Sequence, residues 1–415
     1  MPLRVDTIII GAGQAGLALS HCLTEMGIDH VVLERGRVGE RWLSERWPGL
    51  RLLSPNFMTR LPGHAALPDP DGFMQSHAFA DLLNCYARSF SAPVRSACAV
   101  GSVTREGGRF IVRTSGGDFS ARAVVVATGA CDRPAVPAWA KALPESILQV
   151  TASRYSGPDA LDDGGVLVIG ASASGVQFAR EIRMTGRPVT IAVGRHARSP
   201  RRYRGRDFFY WLDRSGFLYE PRDPTVASRR LVALPSFQLT GSDGGQAIGL
   251  ERLEALGVSI TGRALGVSSG KVRFAGSVKE AVDAAEGRLH RLLSMIDHHI
   301  SEMGFIAPQD PGAWERPAVI GNGPTELDLE AAGIRTVVWA TGFRRSYPWL
   351  RLPVLGPDGE IRQTGGITPE PGLFTLGLPF MRHRSSAFIY GVERDAAAIA
   401  KAVAAHLSIS RTIAA

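Results

Sequence analysis

Two glycine-rich turns carry the chemistry open to this sequence. "GAGQAG" supplies Gly11, Gly13, Gln14, Ala15 and Gly16, and "GASASG" supplies Gly170, Ser172, Ser174 and Gly175. In such a turn the first glycine permits a sharp bend, the second lets backbone approach a pyrophosphate, and the third lets a helix pack closely on a strand. The phosphates then lie at a helix N-terminus, among free N–H groups and the positive end of the dipole. Ser172 stands at the second glycine's place, where a small side chain is tolerable. The residues that follow the two turns differ. The first unit's next strand ends in Glu34-Arg35, where a carboxylate takes ribose hydroxyls. The second ends in Gly194-Arg195, where a guanidinium pairs with a 2′-phosphate that a carboxylate would repel. Arg202 and Arg201 are further candidates for that phosphate. An acid-terminated and an arginine-terminated cradle in one chain point to FAD in the first and NADPH in the second, so that one nucleotide can reduce the other.

The elements that must position these turns are legible on either side of them. Each turn follows an apolar strand (5–10 and 166–169) and opens a helix that stops at Gly27 or Gly186, since glycine readily adopts the left-handed conformation that ends helices. The next strands, "HVVLE" and "VTIAV", complete two βαβ beginnings, each of which predicts a parallel sheet with its ligand at the carboxyl ends of the strands. A second echo joins "AVVVATGACDRPAVP" and "TVVWATGFRRSYPWL", each a β-branched strand running into Ala-Thr-Gly. "RFIVRTSGGDFSARAVVVATG" alternates apolar and polar residues about a Gly-Gly turn and reads as an antiparallel hairpin. Residues 277–303 have helical periodicity and predict one long amphipathic helix that can roof a pocket. The expected architecture is an α/β fold of two Rossmann-like dinucleotide-binding domains, the NADPH domain (158–330) inserted into an FAD domain made of 1–157 and 331–415.

Composition narrows the alternatives. A chain of 415 residues, 45% apolar, suits about two domains with large cores. No apolar run approaches the roughly 20 residues of a membrane span, and the first strand begins too early to leave room for a signal peptide, so a soluble cytoplasmic protein is expected. The four cysteines stand far apart with no C-x-x-C pair, which removes a redox dithiol. His290, His298 and His299 share one helical stretch without an acidic or cysteine partner to complete a metal site. The net charge of +8 is concentrated in "GRHARSPRRYRGRD", with six arginines between Arg195 and Arg206. No aromatic stacking platform accompanies them, which argues for a nucleotide phosphate rather than nucleic acid.

Together the paired cradles, the two Ala-Thr-Gly segments, the block "GERWLSERWPGLRLLSPNFMTRLPG" and the tail "PGLFTLGLPFMRHRSSAFIYGVERDAAAIAKAVAAHL" resemble the class B flavin-dependent monooxygenases over nearly the whole chain. That group holds flavin-containing monooxygenases, plant auxin-forming enzymes, Baeyer–Villiger monooxygenases and bacterial flavoproteins described in connection with potassium transport. The resemblance implies that Trp42 and the 46–52 loop wrap the FAD. It also implies that Thr128-Gly129 and Thr341-Gly342 lie at crossings between domains and that Gly377 of "LFTLG" belongs to the cofactor site. It further implies hydride transfer from NADPH to FAD, trapping of O2 as a C4a-(hydro)peroxide, and transfer of one oxygen atom to a small or medium organic substrate. Asn56 matches an asparagine that reaches the flavin adduct in flavin-containing monooxygenases; its other reading is a turn residue after Pro55. The tail predicts a helix beginning near Gly391 whose N-terminus can stabilise charge on the reduced flavin.

Two departures shape the expected reaction. Thr151 stands where the family places a histidine, and Leu53 stands where Baeyer–Villiger enzymes carry an aspartate that orients an arginine. Heteroatom (N or S) oxygenation is therefore expected ahead of Baeyer–Villiger oxidation, unless another arginine such as Arg384 substitutes. The rival readings are an NADPH oxidase or reductase without oxygen transfer, and a non-catalytic nucleotide-sensing flavoprotein. The aromatic run Phe208, Phe209, Tyr210, Trp211 with Phe217 reads as core more than as pocket. A homodimer is open.

Overall fold

Short runs of β-branched residues between glycine turns are the seeds of two separate sheets. The computed structural model describes residues 2–222, 235–317 and 323–414, with side chains as far as residue 408. In chain order its main elements are β1 (Thr7–Ile10), α1 (Gln14–Glu25), β2 (His30–Leu33), α2 (Ser76–Ser89), β3 (Val94–Arg95), β4 (Ala123–Val126) and β5 (Leu148–Thr151). Then follow β6 (Gly165–Ile169), α3 (Ala173–Met184), β7 (Val189–Ala192), α4 (Phe208–Arg214), β8 (Ser259–Thr261), α5 (Lys279–Glu302), β9 (Ile334–Trp339), β10 (Leu373–Thr375) and α6 (Val392–Ala414).

The first sheet has the order β10-β4-β1-β2-β3 and the second β5-β9-β6-β7-β8. Every neighbouring pair in both is parallel. Strands covered on both faces are largely apolar, because successive side chains point to opposite sides. In β1, Ile9 packs with Leu17, Leu23, Ile399 and Val403 of α1 and α6. Ile8 and Ile10 pack on the opposite face with Val103, Phe110 and Val112 of the antiparallel hairpin. In β6, Val166 and Val168 meet Val176 and Ile182 of α3. Leu167 and Ile169 meet Val272 and Phe274 of a second antiparallel meander. Each sheet thus carries a helix layer on one face and an antiparallel layer on the other.

The hairpin expected about Gly116-Gly117 is present, with Arg109–Thr114 antiparallel to both Val100–Glu106 and Phe119–Ala121. The long helix is α5, whose first backbone N–H groups include that of Lys279, bonded to Ser277 Oγ at 3.0 Å. It buries Leu289, Leu293, Ile296 and Ile300 against Phe208, Trp211 and Leu212.

The sheet partners correct the expected boundaries. The sequence places residues 331–415 wholly in the first unit, yet β9 lies between β5 and β6 in the second sheet. β5, at 148–151, also precedes the expected boundary at 158. The second sheet therefore draws on residues 148–339, and the return to the first sheet comes at β10. The physical reason is close packing. A Cβ on Gly11 would sit 2.7 Å from Ala127 O, and a Cβ on Gly170 would sit 2.5 Å from Ala340 O. Each Ala-Thr-Gly strand is thus the inner neighbour of its own cradle. Beyond these strands the chain crosses between units twice, and the crossings pair with each other: Phe343 opposes Pro134 and Arg344 opposes Arg133 in an antiparallel ribbon.

Candidate functional site

The two cradles are built alike, atom for atom in places. Gly11 and Gly170 have φ of 110° and 107°, left-handed values that favour glycine. Gly13 and Ser172 occupy the same N-cap conformation, with φ −85° and −80°. That equivalence is why serine is tolerated in the second cradle. Gly16 and Gly175 allow the helix to touch the turn: a Cβ on either would lie 1.8 Å from the carbonyl oxygen of Gly11 or Gly170. Around Gly13, by contrast, a Cβ would meet nothing within 4 Å. That open space faces a groove of about 420 Å³.

This first groove is lined by Gly11, Gly13, Gln14, Ala15, Glu34, Arg35, Trp42, Thr128, Gly129 and Gly377. Glu34 is buried, and its two oxygens accept from the backbone N–H groups of Ala12 and Gly36, each at 2.9 Å. Those bonds hold the carboxylate rigidly at the strand end and tie it to the phosphate turn. Arg35 points outward to Glu45 at 2.8 Å. Gly377 must be glycine, since its φ is 78° and a Cβ would press on Ala15 at 2.8 Å.

The second groove, of about 820 Å³, is lined by Gly170, Ser172, Ser174, Arg195, Thr341 and Gly342. Thr341 Oγ1 is buried there without a hydrogen-bond partner, an orphan that a bound ligand would satisfy. Arg195 is exposed on the groove wall. Arg263, which sequence reasoning missed, joins it; its side chain passes 3.8 Å from the Cβ position of Gly194. Its only signal in the sequence is its place just after β8, the strand beside β7. Arg202 lies elsewhere, in a small separate pocket of about 250 Å³ with Arg198, Glu251 and Asp310. Arg201 is also spent: it is buried, ion-paired to Asp207 at 2.7 Å, and donates to Leu53 O at 2.8 Å. Burial pushes the Asp207 carboxyl up while Arg201 pulls it down, so the pair serves each other rather than a phosphate.

The grooves meet at Trp42, whose ring lines both and also a third, mainly apolar cavity of about 930 Å³. Trp42 stands edge-on to Phe79 of α2 at 4.9 Å, with the Arg46 guanidinium 5.3 Å from its ring centre. Leu52 and Leu53 form the wall shared by the second groove and the third cavity. Phe209, Phe217, Phe380, Leu292 and Met295 line the cavity further on, so α5 does close over it. Of the aromatic run, Phe208 and Trp211 are core, while Phe209 and Phe217 are walls.

Asn56 lines none of the three spaces. Its amide donates to Asp69 O at 3.0 Å and its N–H to Gly72 O at 2.9 Å, which ties down the 69–72 turn. Thr151 pairs with Ser153 at 3.3 Å on β5 rather than lining the second groove. α6 begins at Val392, as expected, but its first turn already carries Glu393 and the fully buried Asp395, 3.1 Å from His383. The linings of the three spaces reach Ile389 and stop short of the helix.

Comparison with known proteins agrees with this geometry. Residues 8–213 match the family model described as pyridine nucleotide-disulphide oxidoreductase. The four cysteines, Cys22, Cys85, Cys98 and Cys131, include no C-x-x-C pair. An uncharacterized oxidoreductase CzcO-like of Geobacillus kaustophilus is 30% identical over 94% of this chain and 96% of its own length. Indole-3-pyruvate monooxygenase YUCCA1 of Oryza sativa is 28% identical over 45% of this chain and 47% of its own. The flavin-containing monooxygenase from Stenotrophomonas maltophilia has the same fold, with a TM-score of 0.66 and 20% identity over 97% of this chain and 99% of that one. Fold and grooves together define an oxidoreductase built to hold two dinucleotides. The chain belongs to the CzcO-like oxidoreductases. No helix among the described residues is long and apolar enough to cross a membrane.

Proposed function

We propose that this chain uses NADPH and O2 to insert one oxygen atom into a small or medium organic substrate. The balance is substrate, NADPH, O2 and a proton giving oxygenated substrate, NADP⁺ and water. The observation that carries the reading is the meeting of two dinucleotide grooves at Trp42, where both open onto an apolar cavity. The first groove fits FAD: Gly13 leaves room for a pyrophosphate, and Glu34 is fixed where ribose hydroxyls arrive. The second fits NADPH, with Ser172 and Ser174 at the phosphates, Thr341 Oγ1 as a free acceptor or donor, and Arg195 with Arg263 at the 2′-phosphate. When bound, the flavin supplies the hydride acceptance and the oxygen chemistry. The chain's own part is to place the two nucleotides at one junction, and to wall that junction with Leu52, Leu53 and Trp42 so that water is excluded.

Heteroatom oxygenation, favoured at nitrogen or sulfur, needs only such a dry cavity, and the apolar Leu53 supports it. A Baeyer–Villiger reading keeps one specific support. Arg384 lines the cavity, is held by Glu220 at 2.6 Å, and stacks on Phe217 and Phe380 at 4.4 and 5.3 Å. It is thus an acid-held arginine reached from the tail instead of from Leu53. Arg384→Gln separates the two readings: loss of ketone oxidation with thioether oxidation intact supports the arginine's role, and equal rates on both rule it out.

The primary test is stoichiometry with labelled oxygen. Oxygenation requires label from ¹⁸O2 in the product and one product per NADPH oxidised. NADPH consumption that yields only hydrogen peroxide, with every substrate class tried, would make the chain an oxidase instead.

A further inference from the structure

The third cavity is apolar in its walls and positive in its charge. Four arginines line it, Arg198, Arg288, Arg291 and Arg384, against a single carboxylate, Glu220. Two of the four are neutralised: Arg384 by Glu220 at 2.6 Å, and Arg198 by the buried Glu286 at 2.9 Å. Arg288 and Arg291 are not paired with any acid among the described residues. They sit three residues apart on α5, so they share a face of the helix, beside Leu292 and Met295 of the same wall. Arg288 donates one bond, from Nη2 to His196 O at 2.6 Å, and its Nε is buried without a partner. Burial, then Arg195 and Arg291, hold its guanidinium below the usual range. A buried donor lacking an acceptor, next to a second like charge, is a local excess of positive potential that an anion would relieve.

We infer that Arg288 and Arg291 form an anion clamp within this cavity, and that its occupant is an amphipathic acid: an apolar or aromatic body against Phe209, Phe217, Leu292 and Met295, with a carboxylate held by the two arginines. This deepens the oxygenation reading, on which it rests for its chemistry, by naming the substrate class. It also narrows heteroatom oxygenation, because an ammonium group would enter a cavity that already carries two uncompensated cations. Sulfur or a ketone on an anionic skeleton fits where a cationic amine does not.

The test reads binding without turnover. Phenyl thioethers of equal length ending in carboxylate, alcohol or ammonium are titrated into the oxidised holoenzyme, and flavin absorbance is followed. The clamp requires the order carboxylate, alcohol, ammonium, with about tenfold or more between first and last. Arg291→Glu, on an exposed helix position, should invert that order while NADP⁺ affinity by equilibrium dialysis stays the same. Arg291→Gln serves as the milder variant and should abolish the preference. An order indifferent to charge, or unchanged in both variants, overturns the inference. So does a loss of NADP⁺ affinity with the acid preference intact, since the arginines would then belong to the nucleotide. Acid binding in an enzyme that transfers no oxygen would leave the clamp standing and remove the monooxygenase reading, so the two fail separately.

Discussion

At the scale of residues, the three glycines of one motif divide between two duties. Gly11 and Gly16 are needed by the fold, since added Cβ atoms would strike Ala127 O and Gly11 O. Gly13 faces open space and is needed only by what lies in the groove. Gly13→Val should therefore give folded protein that purifies colourless, whereas Gly16→Ala should lose the fold; a yellow Gly13→Val would move the flavin elsewhere. Arg195 and Arg263 make a paired prediction. A charge-assisted hydrogen bond contributes about 1.5–3 kcal/mol, so removing either should weaken NADPH about 10- to 100-fold and NADH little. Equal losses would place the 2′-phosphate away from this wall. His30 supplies a pH test. It is buried between Ser20 and Ile28 O, each at 2.8 Å, and burial lowers its pKa. Below about pH 6.5 the unfolded chain takes a proton at this site that the folded chain resists. Its share of stability is thus complete above that pH and lost as pH falls. Urea midpoints at about pH 7.5 and about pH 5.5 should show a drop in the wild type that is smaller in His30→Gln; identical drops would clear His30 of the effect.

At the scale of elements, α5 joins the core to the cavity. Its buried row of Leu289, Leu293 and Ile296 fixes how far Arg288, Leu292 and Met295 project over the third space. Leu293 is fully buried, so Leu293→Ala should cost about 2–5 kcal/mol, read as a lower melting temperature, and should loosen binding in the cavity. A thermal shift with no change in ligand affinity would mean that α5 supports the fold alone. This is also where sequence reading reached its limit. Both βαβ starts, the hairpin and α5 were legible because period and glycine punctuation are local properties. The placement of β9 was not: largely buried β-branched strands are interchangeable as text, and it is the ladders with β5 and β6 that assign β9 to the second sheet. The arginines divide in the same way. The place of Arg195 on the groove wall was readable from its strand end, whereas the places of Arg201, Arg202 and Arg263 depend on which way a loop turns. Asn56 was matched by position alone; its side-chain N–H is engaged by the 69–72 turn, while its Oδ1 is buried without a partner.

At the scale of the whole molecule, the cofactor junction is a seam between two similarly layered units. Trp42, Leu52 and Leu53, from the segment after β2, reach across to the second groove, and Trp47 and Leu50 pack into the second core. Nucleotide binding at the seam should stabilise both units together. FAD at about 100 times its dissociation constant adds about 2.7 kcal/mol, so the holoprotein should melt in one transition above the apoprotein. Two transitions, only one of them moved by FAD, would show the units to be independent. The paired crossings have a separate consequence. The chain leaves the first unit and re-enters it at one point, where Ala135 N–H meets Gly342 O at 2.8 Å. In genetic terms the second unit is a cassette with both ends at one address: a short turn joining residue 134 to residue 343 would delete it, and polar replacements at Trp47 and Leu50 would cover the scar.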